Sequence, residues 1–354
     1  MMSAQSVPYL HDIVRSSGKP IESLHLLAYP SRLRACFVAL VLLLSVSCCA
    51  LDCHGDERSP FAVVLGIAQD AGYPQANCQK ACCAPAWKSP ERRRFSSCLG
   101  LVDPVTGQRW MFDCTPDFRE QLRLLDSAFV RSAGKPLNGI FPTHAHIGHY
   151  AGLIHLGREV IEAKEIPVMA MPRMKYFLET NGPWDQMVKL NQIRIVRLQA
   201  ASVLRLNDRI TVTPFLVPHR DEYSETVGFL VSGPDKKLLY LPDIDKWERW
   251  DTKIEDLISQ VDIAFLDGTF FSADELPGRN MDEIPHPFMA ESISRFTNLT
   301  AEARKKIKFI HLNHTNPALD PASDSCEQIL RSGLGLASQY STSNTSDDDS
   351  RFEL

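Results

Sequence analysis

The 354-residue chain lacks the marks of several common chemistries. It has no G-x-S-x-G turn, the strained elbow that presents a catalytic serine, and no G-x-G-x-x-G loop, the phosphate cradle of dinucleotide-binding folds. Internal repeats are absent too, and so is a basic stripe of the kind nucleic acid requires. Its 38 Lys and Arg stand against 43 Asp and Glu, a net charge of −5 with both signs mixed along the chain. Without a basic face, nucleic acid is excluded as a partner, and a small-molecule substrate is expected. What the chain does have is 44% apolar residues, enough to bury a large core in one or two domains.

The N-terminus reads as an address rather than as fold. Residues 1–34 are a leader of unclear role. From Ala35 to Leu51 no charged residue occurs, Arg32 and Arg34 stand just before, and Val38 to Leu44 is continuously aliphatic. Residues 35–53 are therefore expected to be a signal peptide or a short membrane anchor, and the protein to be exported: periplasmic, secreted or held at a membrane. Four of the ten cysteines (Cys36, Cys48, Cys49, Cys53) fall in or beside this segment, which weakens any disulfide inference for the rest.

After Pro60 the pattern becomes that of a globular domain. Strands are predicted at 61–67, 99–102, 110–112, 139–141, 168–171, 193–198, 210–217, 226–232, 238–241, 263–266 and 307–312, with helical spacing at 118–129, 150–159, 174–180, 254–259, 289–296 and 326–331. Thr115-Pro116 reads as the start of the first helix, Thr as cap and Pro at the first helical place. Two groups of strands with helices between them fit two packed sheets flanked by helices, an α+β domain over 54–337. The Ser-, Thr-, Asn- and Asp-rich end, 338–354, is expected to be disordered.

The most informative stretch is Thr143-His144-Ala145-His146-Ile147-Gly148-His149, three histidines within six positions between a strand and a helix. Imidazole is a common ligand for borderline metals, and packing alone gives no reason to crowd three rings at a strand end. One ion needs three or four donors, so further ligands are expected at later strand ends. His219, Asp243, His311 and His314 stand at such places. Separately, Cys78, Cys82 and Cys83 form a cluster suited to a closed structural zinc, with His314 or His311 as the fourth ligand; a disulfide or plain buried thiols are the alternative.

The His-x-His-x-x-His loop resembles the signature of the metallo-β-lactamase superfamily, His-x-His-x-Asp-His, which holds one or two ions, usually zinc, at the edge of an αββα four-layer sandwich. Gly-Tyr-Pro-Gln before Asn77-Cys78, Thr115 to Arg119, and His311 to Pro317 further resemble the pyrroloquinoline-quinone synthesis protein B branch, over roughly 61–336. The resemblance implies a first site of His144, His146 and His219 with water in the open position. Asp243 would orient that water or bridge to a second ion held by His149 and His311, so that Asp243 and His149 are the catalytic candidates. Gly148 stands where the family has an aspartate, so the second site is expected to be weak or empty unless His286, in Ile284-Pro285-His286-Pro287, replaces the lost donor. Asp267-Gly268-Thr269 also reads as a site loop. The function expected is a zinc-dependent hydrolase acting on an ester, amide or phosphodiester. The alternatives are an oxidative iron protein of the cofactor-synthesis type and a non-catalytic metal binder.

Overall fold

A computed structural model describes residues 59–130, 134–342 and 349–354. The leader (1–34) and all of 35–58 lie outside them, so the signal or anchor expected at 35–53 does too. Among the described residues no helix is long and apolar enough to cross a membrane.

Among the described residues fourteen strands form two sheets of seven. In chain order they are β1 (Phe61–Gly66), β2 (Cys98–Asp103), β3 (Gln108–Phe112), β4 (Gly139–Phe141), β5 (Ile166–Ala170), β6 (Ile193–Arg197), β7 (Leu204–Arg205), β8 (Thr211–Leu216), β9 (Val227–Ser232), β10 (Lys237–Leu241), β11 (Ile263–Asp267), β12 (Ile307–Ile310), β13 (Gly335–Leu336) and β14 (Arg351–Glu353). The first sheet runs β14-β1-β2-β3-β4-β5-β6 and the second β13-β12-β11-β10-β9-β8-β7. Both are mixed: β3 to β6 pair in parallel in one, β10 to β13 in the other, and the remaining pairs are antiparallel.

Successive side chains of a strand point to opposite faces, and here both faces are covered. On β1, Phe61, Val63 and Leu65 join an outer core with Phe118 and Leu125 of the helix Phe118–Ala128. Ala62 and Val64 join the core between the sheets, where Phe112, Phe141 and Phe229 pack ring against ring. A third core lies outside the second sheet, under Ile254, Met289 and Ile329. The result is the helix–sheet–sheet–helix sandwich.

Three local expectations are corrected. The first helix starts at Phe118, not at Pro116: the Thr115 hydroxyl accepts from the Asp117 amide at 3.0 Å and donates to Gln121 at 2.8 Å, which makes a turn before the helix. The helix expected over 150–159 is a single α-turn, Ile147–Tyr150, followed by a 3₁₀ run, Ala151–Leu156. There the Gly152 amide donates to Cys114 O at 2.9 Å, pulling the chain against the 114–118 turn. The tail is not disordered where it is described. Arg351–Glu353 pairs antiparallel with β1, and Leu354 is buried, its amide bonded to Pro60 O at 2.7 Å. A strand of this kind is stabilised by a free sheet edge, so its own apolar content is a poor guide.

Candidate metal centre

The polar residues of the site sit just past the carboxyl ends of strands, where α/β sheets commonly place their chemistry. Asp70 follows β1, Asp113 follows β3, His144 to His149 follow β4, His219 follows β8, Asp243 follows β10, Asp267 ends β11 and His311 follows β12. Each strand is anchored in core on both sides, so the loops bring rigidly placed donors to one rim.

Two groups of donors meet there. His144, His146, His219 and Asp243 each bring one ligand atom, all within 4.8 Å of one another, and so do Asp70, His149 and His311. In the first group His144 Nε2 lies 2.8 Å from His146 Nδ1, and Asp243 Oδ2 lies 3.3 Å from both His144 Nε2 and His219 Nε2. In the second, His149 Nε2 is 3.2 Å from His311 Nε2 and 3.4 Å from Asp70 Oδ1. Asp243 Oδ2 faces this pair as well, at 3.8 and 4.0 Å, so it stands between the groups. A bond of about 2.1 Å to zinc sets tetrahedral donors about 3.4 Å apart, close to these separations.

The outer partners fix which nitrogen of each ring carries a proton. The Thr143 hydroxyl donates to Asp113 Oδ1 at 2.8 Å, so at 3.0 Å it accepts from His144 Nδ1–H. His149 Nδ1–H donates to Asp113 Oδ2 at 2.8 Å, and His146 Nε2–H to Glu222 at 3.0 Å. The Thr269 hydroxyl donates to Asp267 Oδ1 at 2.7 Å and accepts from His311 Nδ1–H at 2.9 Å. In the neutral rings of His144 and His146 the inward nitrogens are bare lone pairs pointed at each other, an arrangement that repels unless a cation lies between them; His149 and His311 face each other in the same way, joined by either a proton or a metal ion. Asp70 Oδ1, Asp243 Oδ1 and both nitrogens of His219 are buried without a hydrogen-bond partner. This donor chemistry fits a metal ion such as zinc.

The charge environment agrees. Burial would raise Asp243, but the imidazoles of His219, His286 and His311 outweigh it and hold its carboxyl well below the usual range. Burial lowers His144, His146 and His311, keeping these rings neutral as ligands must be. His149 is opposed by burial but pushed well up by Asp113 and Asp70, the signature of a place that attracts positive charge. For His286 burial is likewise outweighed, and Asp267 and Asp243 push it up to about 9.

The expectation that His286 replaces the donor missing at Gly148 is corrected. Its Nδ1 lies 2.9 Å from Asp267 Oδ2 and 3.3 Å from Asp243 Oδ1, behind the bridging carboxylate rather than beside His149 and His311. The space next to Gly148 is filled by Asp70. A β-carbon on Gly148 would overlap both the Asp70 carboxyl oxygen and its Cα. Sequence reasoning missed Asp70 and Asp113 as site residues; an acidic residue just beyond β1 and β3 was the available signal. His149 stands with the ligand nitrogens, since its other nitrogen is committed to Asp113.

Cys78, Cys82, Cys83 and His314 make a second cluster, with all four ligand atoms within 4.8 Å of one another. Cys78 Sγ and Cys82 Sγ are 3.8 Å apart, and His314 Nδ1 is 3.3 Å from Cys83 Sγ and 3.7 Å from Cys82 Sγ. A bond of about 2.3 Å places two tetrahedral sulfurs about 3.8 Å apart. The six described cysteines outside the leader are free thiols, so the disulfide alternative is not realised among them. Burial, with its neighbouring cysteines, pushes Cys83 up to about 12, so without a cation it stays protonated. His311 goes to the histidine centre and His314 to the cysteines, which separates the two late candidates.

A model of the beta-lactamase superfamily domain matches residues 108–311. Coenzyme PQQ synthesis protein B of Methylorubrum extorquens (strain PA1) is 25% identical over 302 residues, which cover 78% of this chain and 96% of that protein. The protein of the same name from Xanthomonas campestris pv. campestris (strain B100) is 25% identical over 305 residues, 78% of this chain and 96% of the relative. Among solved structures, Zn(2+)-bound PqqB from Methylobacterium extorquens superposes with a TM-score of 0.66 at 23% identity, covering 78% of this chain and 97% of that one. A diphosphatase of the PhnP family gives 0.55 at 22% identity, covering 78% and 94%.

Proposed function

Because this chain belongs to the metallo-β-lactamase superfamily, resembling its coenzyme PQQ synthesis protein B members, we propose that it is a zinc-dependent hydrolase of a small ester, amide or phosphodiester. The observation that carries the reading is the pair of bare lone pairs on His144 and His146, facing each other at 2.8 Å beside Asp243 and His219. A fold neighbour described as zinc-bound supports that metal, and a diphosphatase with the same fold supports hydrolysis.

His144, His146, His219 and Asp243 would hold the ion. When bound, zinc lowers the pKa of its water to about 7 and so supplies a hydroxide nucleophile at neutral pH. The chain's own residues do the rest. Thr143, Glu222 and Asp113 hold the rings in the ligand tautomers. Asp243, whose Oδ2 faces His144, His219 and His149, would help hold the ion and the water beside it. His286 holds a proton at Nδ1 between Asp267 and Asp243, which fixes the Asp243 carboxylate in place. The buried walls keep bulk solvent off these groups, leaving Asp70 and His146 partly open toward the outside.

The name of the relatives favours a second reading, a step of cofactor synthesis with oxidative chemistry at iron. Metal analysis of the purified chain separates the two: zinc is expected, and iron as the bound metal would favour the second. On a panel of esters, lactams and phosphodiesters, the zinc-loaded protein is expected to turn over at least one class. His144→Ala is expected to lower that rate by about a thousandfold, as the loss of several kcal/mol of transition-state stabilisation implies. A filled site with no turnover on the panel would point instead to a metal-binding role without catalysis.

A further inference from the structure

The family signature has a carboxylate where this chain has Gly148, and loss of that ligand would be expected to disable a second metal position. We propose that Asp70, reaching in from the loop after β1, supplies the missing carboxylate and completes a second metal position with His149, His311 and the bridging Asp243. The proposal rests on the reading of the neighbouring donors as a metal centre and extends it to the number of ions held.

Glycine at 148 and aspartate at 70 are complementary. The Asp70 backbone and carboxyl occupy the volume that any side chain at 148 would need, so only glycine leaves room for Asp70 to approach. The approach is built rather than incidental. Gln69 N donates to Leu312 O and Leu312 N donates to Ile67 O, both at 2.8 Å, which ties the β1 end beside His311. The Ser96 hydroxyl donates to Asp70 O at 2.8 Å, and Gly72 N closes the turn onto Gln69 O at 2.8 Å. So held, Asp70 Oδ1 is buried, lacks a hydrogen-bond partner and lies 3.4 Å from His149 Nε2. The Nε2 atoms of His149 and His311 meet at the same point, 3.2 Å apart, and Asp243 Oδ2 faces both, at 3.8 and 4.0 Å. Donors that repel one another from several directions unless a cation joins them form a ligand set, and here its missing member comes from another strand.

The test counts zinc(II) in the full chain after loading and exhaustive exchange into zinc-free buffer. About three equivalents are expected for the unaltered protein, one at the cysteines and two at the histidine centre. Asp70→Ala is expected to hold about two, and Asp70→Asn, which keeps the shape but not the charge, to bind the last equivalent at least about tenfold more weakly. Gly148→Ala should lose the same equivalent by displacing Asp70. Cobalt-substituted protein reports through its thiolate absorption that the cysteine cluster, and with it the fold, is intact in each variant. Three equivalents retained by Asp70→Ala would overturn the proposal, as would an unaltered protein holding only two. His144→Ala separates this from failure of the functional reading: if that substitution leaves the count unchanged, the first position is not a metal site and the reading itself falls.

Discussion

The two donor clusters of this protein use the same short list of residue types to opposite ends. The cysteine cluster draws Cys78, Cys82 and Cys83 from one short turn and His314 from a distant one, four donors for one ion with no position left over. The histidine centre gathers its donors from five strand ends, shares Asp243 between two groups, and leaves Asp70 and His146 partly open. A closed set of thiolates is a staple, since every bond goes into joining chain to chain. An open set of imidazoles and carboxylates leaves a coordination position for water. Donor identity alone therefore does not assign a role; closure and the number of chain segments recruited do.

The largest stability effect is therefore expected at the staple. Cys83 is fully buried and its thiolate exists only against a cation, so Cys83→Ser should remove one zinc equivalent and lower the melting temperature by about 10 °C or more. Thermal unfolding followed by circular dichroism checks this. The same substitution should leave the other zinc equivalents in place. If the melting temperature stays within a degree or two while one zinc is lost, the cluster is not a staple and the contrast between the two sites fails.

The next effect belongs to the histidine centre and leaves the fold nearly untouched. Asp113 accepts four hydrogen bonds, from Thr143 N and Oγ1 at 2.8 Å, from His149 Nδ1 at 2.8 Å and from Tyr240 OH at 3.1 Å. It sets the tautomer of His149 directly and that of His144 through Thr143. Asp113→Asn replaces one acceptor oxygen by a donor and frees His149 to turn its other nitrogen outward. Zinc affinity at the centre, measured by competition with a chromogenic chelator, should fall by about 10–100-fold. An unchanged affinity would show that the outer partners follow the rings rather than orient them.

Much of the fold and of the centre is legible in the amino-acid sequence, and what is not has definable causes. The alternation and length of the apolar runs place eleven strands close to their observed bounds, because strands buried on both faces cannot hide their composition. The short edge strands β7, β13 and β14 escape, since two or three residues paired at an edge need little apolar character of their own. The cluster at 144–149 announces itself by local density. His311 and His314 cannot be told apart by position, being only three places from each other in the sequence. Their separation depends on a backbone reversal in which His311 takes a φ of +69°, unusual for a residue with a side chain. Asp113 adopts a similar φ of +66°. Asp70 is the least legible of all: its partner in space is a glycine 78 positions away, and an absent side chain carries no signal of what fills its place.

The smallest effect sharpens the comparison within the histidine centre itself. His146 and His149 each hand one ring proton to a carboxylate, but Asp113 is fully buried whereas the Glu222 side chain is 48% exposed. Water competes for His146 Nε2–H as soon as Glu222 withdraws, so the pair is worth no more than about 1 kcal/mol. Glu222→Ala should accordingly weaken zinc binding by at most about fivefold, with little change in melting temperature, against the 10–100-fold expected at Asp113. A loss at Glu222 as large as that at Asp113 would mean that the loop around it closes over His146 in the loaded protein. His146 would then be buried like the other ligands, and the open side of the centre would be narrowed to Asp70.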